Sequence, residues 1–379
     1  MPERKEWTLS ARLPVRFSLH SADGLFEHGH PAFLEPGAEK GRTRRLVIID
    51  EQVFSLHGER IEQFFLRMGV DYRILPLVAT ESQKDIDTLM VILNAMENFH
   101  LLRQSEPVIA IGGGVLLDAV GLAASIYRRG VPYIKVPTTL LSLVDVSIAV
   151  KTGINHFGNR NRLGTYHPPL SVFLDRSFLG TLEQRAFSNG LAEILKVGLL
   201  KDAHLFRLLE EHGRTLISQK FQAGDTAAEV IDRAIQAMQE ELEPNLWEKV
   251  LRRSVDFGHS FSPIIEMRVL PQLTHGEAVT LDMLLSCLIS HGRGLLHEED
   301  LERVFRTTAF LQLPTYHEMF CDPEVLWESL ADTVIHRNGA QNLPMIDRIG
   351  SCTFFNDVTF DEVAVAAARL KERHRHAEG

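Results

Sequence analysis

VIAIGGGVLLDAVGLAAS, residues 108–125, reads as a short β-branched strand, three consecutive glycines and an apolar helix. Gly112, Gly113 and Gly114 let the backbone turn tightly and come close to a ligand. The helix that follows, opened by Val115, would offer free N–H groups and the positive end of its dipole to a phosphate. The pattern is not a P-loop, because no Lys-Ser/Thr pair follows, and it is not GxGxxG. Asp118, four residues after the last glycine, makes it GGGxxxD. Glycine-rich turns between strand and helix also occur without a ligand, so the neighbouring segments must decide.

Those neighbours repeat the alternation. RRLVIID (44–50), YRILPL (72–77), YIKVP (133–137) and SVFLD (171–175) read as strands, with helical periodicity near 52–68, 82–97 and 115–127. The series predicts a Rossmann-like α/β domain over residues 1–180, with a parallel sheet covered on both faces and ligands at the carboxyl ends of its strands. Asp50 ends one strand, where it can accept hydrogen bonds from a ribose; Glu81 and Lys84 open the next helix; Thr138 and Thr139 follow another strand end. Each has a plainer reading as a cap. Together, at successive strand ends of one sheet, they point to bound NAD. The stretch 152–169, TGINHFGNRNRLGTYHPP, reads as a long functional loop. Beyond residue 180 strand signals nearly stop, and helical patterns cover 182–211, 226–243, 258–267, 276–296, 299–311, 325–336 and 359–375. Residues 181–379 are therefore expected to form an all-helical domain that binds metal and substrate.

Bulk properties narrow the class. With 50 acidic and 40 basic side chains, the 379-residue chain has a formal charge of −10, which argues against nucleic acid or an anionic membrane as partner. A small anionic substrate still fits, because a few convergent cations suffice. The three cysteines form no CxxC pair, no apolar run reaches the ~18 residues of a membrane span, and the N-terminus lacks a secretory apolar core. A cytoplasmic location is expected.

In the helical half, NGLAEILKVGLL (189–200) puts Glu193 and Lys196 on one face, where a salt bridge alone would explain them. His259 in DFGHSF and His275 in LTHGEAV each stand beside a glycine near a helix start, where capping is the plainer role. One carboxylate and two imidazoles are nonetheless the donor set of a catalytic zinc site with an open fourth position. Spacing alone does not bring three helices together.

Taken in order, GGGVLLDAVGLAAS, RRGVPYIKVPTTLLSLVDVSIAVKTGIN, RNRLGTYHPP, DRSFLGTL, NGLAEILKVG, DFGHSF and LTHGEAV resemble the dehydroquinate synthase superfamily of sugar phosphate cyclases. The likeness covers roughly residues 45–290. It implies an NAD-binding α/β domain, a helical domain, a cleft between them and a homodimer. It implies zinc, or cobalt in its place, on Glu193, His259 and His275. It further implies NAD contacts from Asp118, Thr138, Thr139 and the Phe178, Leu179 and Thr181 segment, and a lining of nicotinamide and substrate by Asp145 and Lys151. Arg129, Lys151, Asn161, Lys196 and Arg252 would surround the sugar phosphate. Arg160 stands where the family usually has Lys, keeping the charge but not the geometry.

The departures select among substrates. Dehydroquinate synthases read LNxGHTxGH where this chain reads VDFGHSFSP, so Asp256 replaces Asn and Pro263 replaces a second His. An ungapped count places Met238 where the family has a carboxylate-binding Lys. A cation is lost and an anion gained; like charges ~4 Å apart repel by about 4 kcal/mol at an effective dielectric of ~20. A carboxylate substrate should be rejected and a neutral sugar phosphate accepted. This pattern, with His336 in IHRNGAQNLPMIDRIG in place of an active-site Lys, resembles the sedoheptulose 7-phosphate cyclases, the 2-epi-5-epi-valiolone synthases of aminocyclitol biosynthesis in particular. The resemblance implies transient oxidation by NAD, loss of phosphate, re-reduction and an intramolecular aldol closure. A 2-epi-valiolone synthase or a 3-dehydroquinate synthase are the neighbouring alternatives. Metal-dependent alcohol and glycerol dehydrogenases share the GGG turn but lack AEIxK and the RNxxG loop. An inactive scaffold is disfavoured by retention of every zinc candidate.

Overall fold

The computed structural model describes residues 6–36, 43–222 and 224–378. Its strands are β1 (Ser18–Ser21), β2 (Arg44–Asp50), β3 (Asp71–Leu77), β4 (Val108–Gly112), β5 (Tyr133–Pro137), β6 (Lys151–His156), β7 (Asn159–Tyr166), β8 (Ser171–Leu174), β9 (Leu343–Arg348) and β10 (Ser351–Phe355). Six of them form one parallel sheet in the order β1-β8-β5-β4-β2-β3. Successive residues of β2 and β4 enter different cores. Leu46, Ile48, Val108 and Ala110 pack on one face; Val47, Ile49, Ile109 and Ile111 pack on the other. Both faces are therefore covered, as the β-branched runs require.

Two single-turn helices, α1 (Leu25–His28) and α2 (Pro31–Leu34), precede the crossovers α3 (Glu51–Arg67), α4 (Ile86–Asn98) and α5 (Gly114–Ile126). The chain leaves β2 toward β3 on one side, while β4 lies on the other. That reversal opens a crevice at the strand carboxyl ends, between Asp50 and the Gly112–Gly114 turn, where open α/β sheets bind ligands.

The stretch 152–169 is not a loop. β6 and β7 pair antiparallel, joined by Phe157 and Gly158 at φ 52° and 72°. Positive φ at both central residues is what a two-residue hairpin turn requires. The glycines that resembled loop residues face each other across the ladder, Gly153 opposite Gly164. A Cβ on Gly164 would lie 2.3 Å from the Thr152 carbonyl oxygen, so the close approach excludes any side chain.

The second half holds α6 (Gln184–Leu200), α7 (Ala203–Ser218), α8 (Asp225–Leu242), α9 (Ser262–Val269), α10 (His275–Gly292), α11 (Glu298–Phe310), α12 (Pro323–His336) and α13 (Phe360–Glu378). The single helix expected over 182–211 is two, because Asp202 caps α7 by accepting from the N–H groups of His204 and Leu205. All-helical is also a correction: β9 and β10 form an antiparallel hairpin. α10 is buried from Ala278 to Ser290 and packs on α6, α9, α11 and α13, the position of a helix apolar on all sides.

Candidate active site

α10 begins at His275 with the arrangement of a capping box, in which the Thr274 N–H donates to Glu277 Oε2 at 2.7 Å. A Cβ on Gly276 would lie 2.4 Å from the Asn189 Cα, and the Gly276 N–H donates to Asn189 Oδ1 at 2.7 Å. The glycine thus lets the start of α10 press on α6, one turn from Glu193. His259 comes from the turn before α9. Asp282 of α10 fixes that turn by accepting from the backbone N–H groups of Ser260, Phe261 and Ser262 at 2.8, 2.6 and 2.8 Å. Burial pushes the Asp282 pKa up to about 6 against the pull of these donors.

These constraints converge Glu193, His259 and His275, whose ligand atoms lie within 4.8 Å of one another. His275 Nε2 and His259 Nε2 are 3.6 and 3.9 Å from Glu193 Oε1. The carboxylate is 1% exposed, and neither of its oxygens accepts a well-formed hydrogen bond, although Lys196 lies in close ionic contact. Burial alone would raise the Glu193 pKa, but Lys196 and the two imidazoles hold it far below the usual range. A buried carboxylate without hydrogen-bond donors, facing two imidazole nitrogens, fits a divalent cation.

Glu266, which the sequence reading missed, sits behind this cluster. Its Oε2 lies 3.0 Å from His275 Nδ1, and both its oxygens accept from Arg160 Nη1 at 2.6 and 2.8 Å. Burial would raise its pKa, but His275 and Arg160 bring it down to about 2. A carboxylate on the far ring nitrogen sets the tautomer that leaves Nε2 for a metal. Glu266→Gln should weaken zinc affinity by roughly 10- to 100-fold. Competition against a chromogenic chelator measures this, and an unchanged dissociation constant would refute it.

A cavity of about 880 Å³ opens beside the cluster, within the range of cofactor and substrate sites. Glu81, Lys84, Gly113, Gly114, Val115, Asp118, Thr139, Asp145, Lys151, Arg160, Asn161, His259, Pro263 and His275 all line it. A contiguous pocket of about 220 Å³ adds Asp50, Thr138, Phe178 and Thr181. Gly113 leaves the N-terminus of α5 without a side-chain cap, so its N–H groups remain available to an anion. Asp50 caps α3 through the Gln52 and Val53 N–H groups, and burial raises its pKa.

Lys84 Nζ, nearly buried, donates to Asp118 Oδ2 at 2.7 Å and Asn161 Oδ1 at 2.6 Å. Asn155 ties the hairpin to the same corner, donating to the Lys84 carbonyl and to Glu81. Asp145 lies in a π-turn, Ser142–Val146, that buried Lys135 supports by donating to the carbonyls of Val146 and Ala149, each at 2.8 Å. Burial, then Glu193, raises the Asp145 pKa. Lys151 pairs with Glu248 at 2.8 Å; burial would lower its pKa, but Glu248 raises it, so the ammonium stays charged.

Glu193, Lys196 and Asp256 are buried and do not line the cavity, and neither do five further predicted residues in this chain. Leu179 and Met238 are buried in apolar cores, the latter on the inner face of α8. Arg252 stacks 4.5 Å over the Phe354 ring. Arg129 is exposed in a left-handed turn after α5. His336, at the end of α12, is 60% exposed and pairs with Asp332 at 3.3 Å. Asp256 also requires correction. Arg253 Nη2 donates to it at 2.6 Å and Arg337 Nε lies 3.5 Å away, so its charge is compensated by two guanidiniums. The bare like-charge repulsion inferred from sequence does not arise. The signal for this was present, since Arg253 stands three residues before Asp256 and Arg337 follows His336.

The 3-dehydroquinate synthase N-terminal model matches residues 74–189, and the 3-dehydroquinate synthase C-terminal model matches residues 190–335. A 2-epi-5-epi-valiolone synthase of Streptomyces albus is 49% identical over 97% of this chain and 90% of its own length. One from an Actinoplanes species is 48% identical over 99% and 95%. The solved 2-epi-5-epi-valiolone synthase of Streptomyces hygroscopicus subsp. jinggangensis, with NAD+ and Zn2+ bound, superposes with a TM-score of 0.92 at 47% identity. That match covers 97% of this chain and 100% of the other.

Proposed function

The chain belongs to the 3-dehydroquinate synthase family, and we propose that within it the protein is a sedoheptulose 7-phosphate cyclase that forms 2-epi-5-epi-valiolone and inorganic phosphate. The observation that carries this reading is the end-to-end identity of nearly one half with 2-epi-5-epi-valiolone synthases. The cavity agrees with it: a two-imidazole, one-carboxylate cluster adjoins a phosphate-ready helix start.

Glu193, His259 and His275 would hold zinc. Gly113, Gly114, Val115, Asp118, Thr138 and Thr139 would seat NAD, with Asp50 on a ribose. When bound, the two groups supply Lewis-acid polarisation and reversible hydride transfer, so the reaction shows no net redox. Lys151 and Asn161 would bind the phosphate, Lys151 as a charged donor set free from Glu248. Lys196, buried against Glu193, would balance negative charge developing on the substrate. Pro263 lies at the cavity wall where a histidine would otherwise add a donor. We further propose a division of the chain near residue 180, action in the cytoplasm, and assembly as a homodimer. No helix among the described residues is long and apolar enough to cross a membrane.

Phosphate release and product NMR test the assignment, with sedoheptulose 7-phosphate and, separately, the dehydroquinate synthase substrate, each with NAD and zinc. Turnover is expected with the first alone, giving the 2-epi-5-epi-valiolone spectrum. Turnover of the carboxylate substrate at a comparable rate would overturn it.

A further inference from the structure

Arg160 comes from β7, on the hairpin tied to the nucleotide corner, yet its guanidinium ends behind the metal-ligand cluster. Nη1 donates to both Glu266 oxygens at 2.6 and 2.8 Å and lies 2.9 Å from His275 Nδ1. Glu266 Oε2 is thereby shared: it accepts from Arg160 and faces His275 Nδ1 at 3.0 Å. At the other end of the guanidinium, Nε lies 3.4 Å from Glu81 Oε1, and this buried N–H makes no well-formed hydrogen bond. Burial would lower the Arg160 pKa, but Glu266 and then Glu81 raise it, so the guanidinium stays charged. Glu81, Arg160, Glu266 and His275 line the large cavity together with the Gly113–Gly114 helix start. One side chain therefore touches both the wall of the nucleotide site and the carboxylate that orients a metal ligand.

We propose that Arg160 is a positioning residue that couples the two cofactor sites, so that NAD and zinc each tighten the binding of the other. The inference deepens the cofactor part of the reading above and rests on it, but not on the identity of the sugar. Its direction follows from competition for Glu266. A guanidinium on Glu266 Oε2 draws that oxygen away from His275, and an imidazole with a weaker acceptor at Nδ1 is a poorer metal ligand at Nε2. The diphosphate of NAD offers Arg160 a bidentate anionic partner in the same cavity. As the guanidinium turns toward it, Glu266 is left to His275 alone and the metal site strengthens. The reverse effect, zinc on NAD, is then required by linkage. The span from Glu81 to Glu266 uses two arms of a planar fork, and a lysine carries its charge at one point only. A direct attraction between zinc and the diphosphate would couple the sites without Arg160, which fixes the control.

Competition for zinc against a chromogenic chelator, with and without saturating NAD, tests the proposal on the full-length wild type and on Arg160→Met. In the wild type NAD should tighten zinc about tenfold or more, and calorimetric titration of NAD with and without zinc should return the same factor. In Arg160→Met the factor should fall to within about twofold of unity. A melting curve checks folding; if Arg160→Met does not fold, Arg160→Gln, which keeps a donor for Glu266 without the charge, takes its place. A wild type whose zinc affinity ignores NAD, or a variant that keeps the full factor, would overturn the inference while leaving both cofactor sites standing. A wild type that binds no zinc or no NAD would overturn the cofactor reading as well.

Discussion

Glu193→Gln is expected to strip the protein of bound zinc and to lower turnover by roughly 10³-fold or more, the scale seen when a preorganised electrostatic group is lost. The amide keeps the shape of the side chain but removes the only anion among the three donors. It also leaves Lys196, 3% exposed, without its partner. Removing one member of a buried ion pair costs about 3–5 kcal/mol. The single variant could therefore lose activity by unfolding rather than by losing metal. Glu193→Gln/Lys196→Met separates the two, because it removes the orphaned charge as well. Its melting temperature should return toward that of the wild type, whereas its zinc content, measured by mass spectrometry after dialysis, should stay near zero. Full zinc content in the double variant, or turnover within tenfold of the wild type in the single one, would show that the carboxylate is not a metal ligand.

How much of this arrangement could be read from the chain depends on the range of the forces that make it. The strands and crossovers around VIAIGGGVLLDAVGLAAS were legible because burial on both faces of a parallel sheet leaves continuous β-branched runs. The hairpin of β6 and β7 was not. Its glycines answer to a close approach between Thr152 and Gly164, and its turn places Phe157, rather than the usual Asn, at positive φ. Both are tertiary demands that local composition disguises as loop. The donors Glu193, His259 and His275 were nameable as a set, whereas their convergence depends on the contact of Gly276 with Asn189 and on the grip of Asp282 on the His259 turn. Charge was the weakest inference. Asp256, read as an isolated carboxylate, is held between Arg253 and Arg337. Arg253, three residues before Asp256, was legible, whereas Arg337 comes from a distant segment that does not register in a spacing argument. The family resemblance placed Arg252, and an ungapped count placed Met238, in a pocket that their side chains do not enter.

Lys84 carries the second large effect. Its ammonium is the junction of three segments: the approach to α4 from its own backbone, α5 through Asp118, and β7 through Asn161. Lys84→Met preserves length and apolar volume but leaves the Asp118 carboxylate and the Asn161 carbonyl oxygen without their shared donor. Breaking a buried pair costs about 3–5 kcal/mol, with the lower end apt here because Asp118 borders the cavity. Where the hairpin and the helix start must be held together to seat a nucleotide, about 3 kcal/mol corresponds to roughly 100-fold. The loss should appear first as weaker NAD binding by calorimetry, then as slower turnover even at saturating NAD, since Asn161 shifts with the hairpin. Lys84→Met/Asp118→Asn discriminates a positional role from general destabilisation. Removing both charges should restore the melting temperature, while NAD affinity stays low because the junction is still open. If the single variant binds NAD and turns over within threefold of the wild type, the Lys84–Asp118–Asn161 junction is a packing detail and the nucleotide corner is held by the contacts of Asn155 and Arg160 with Lys84 and Glu81.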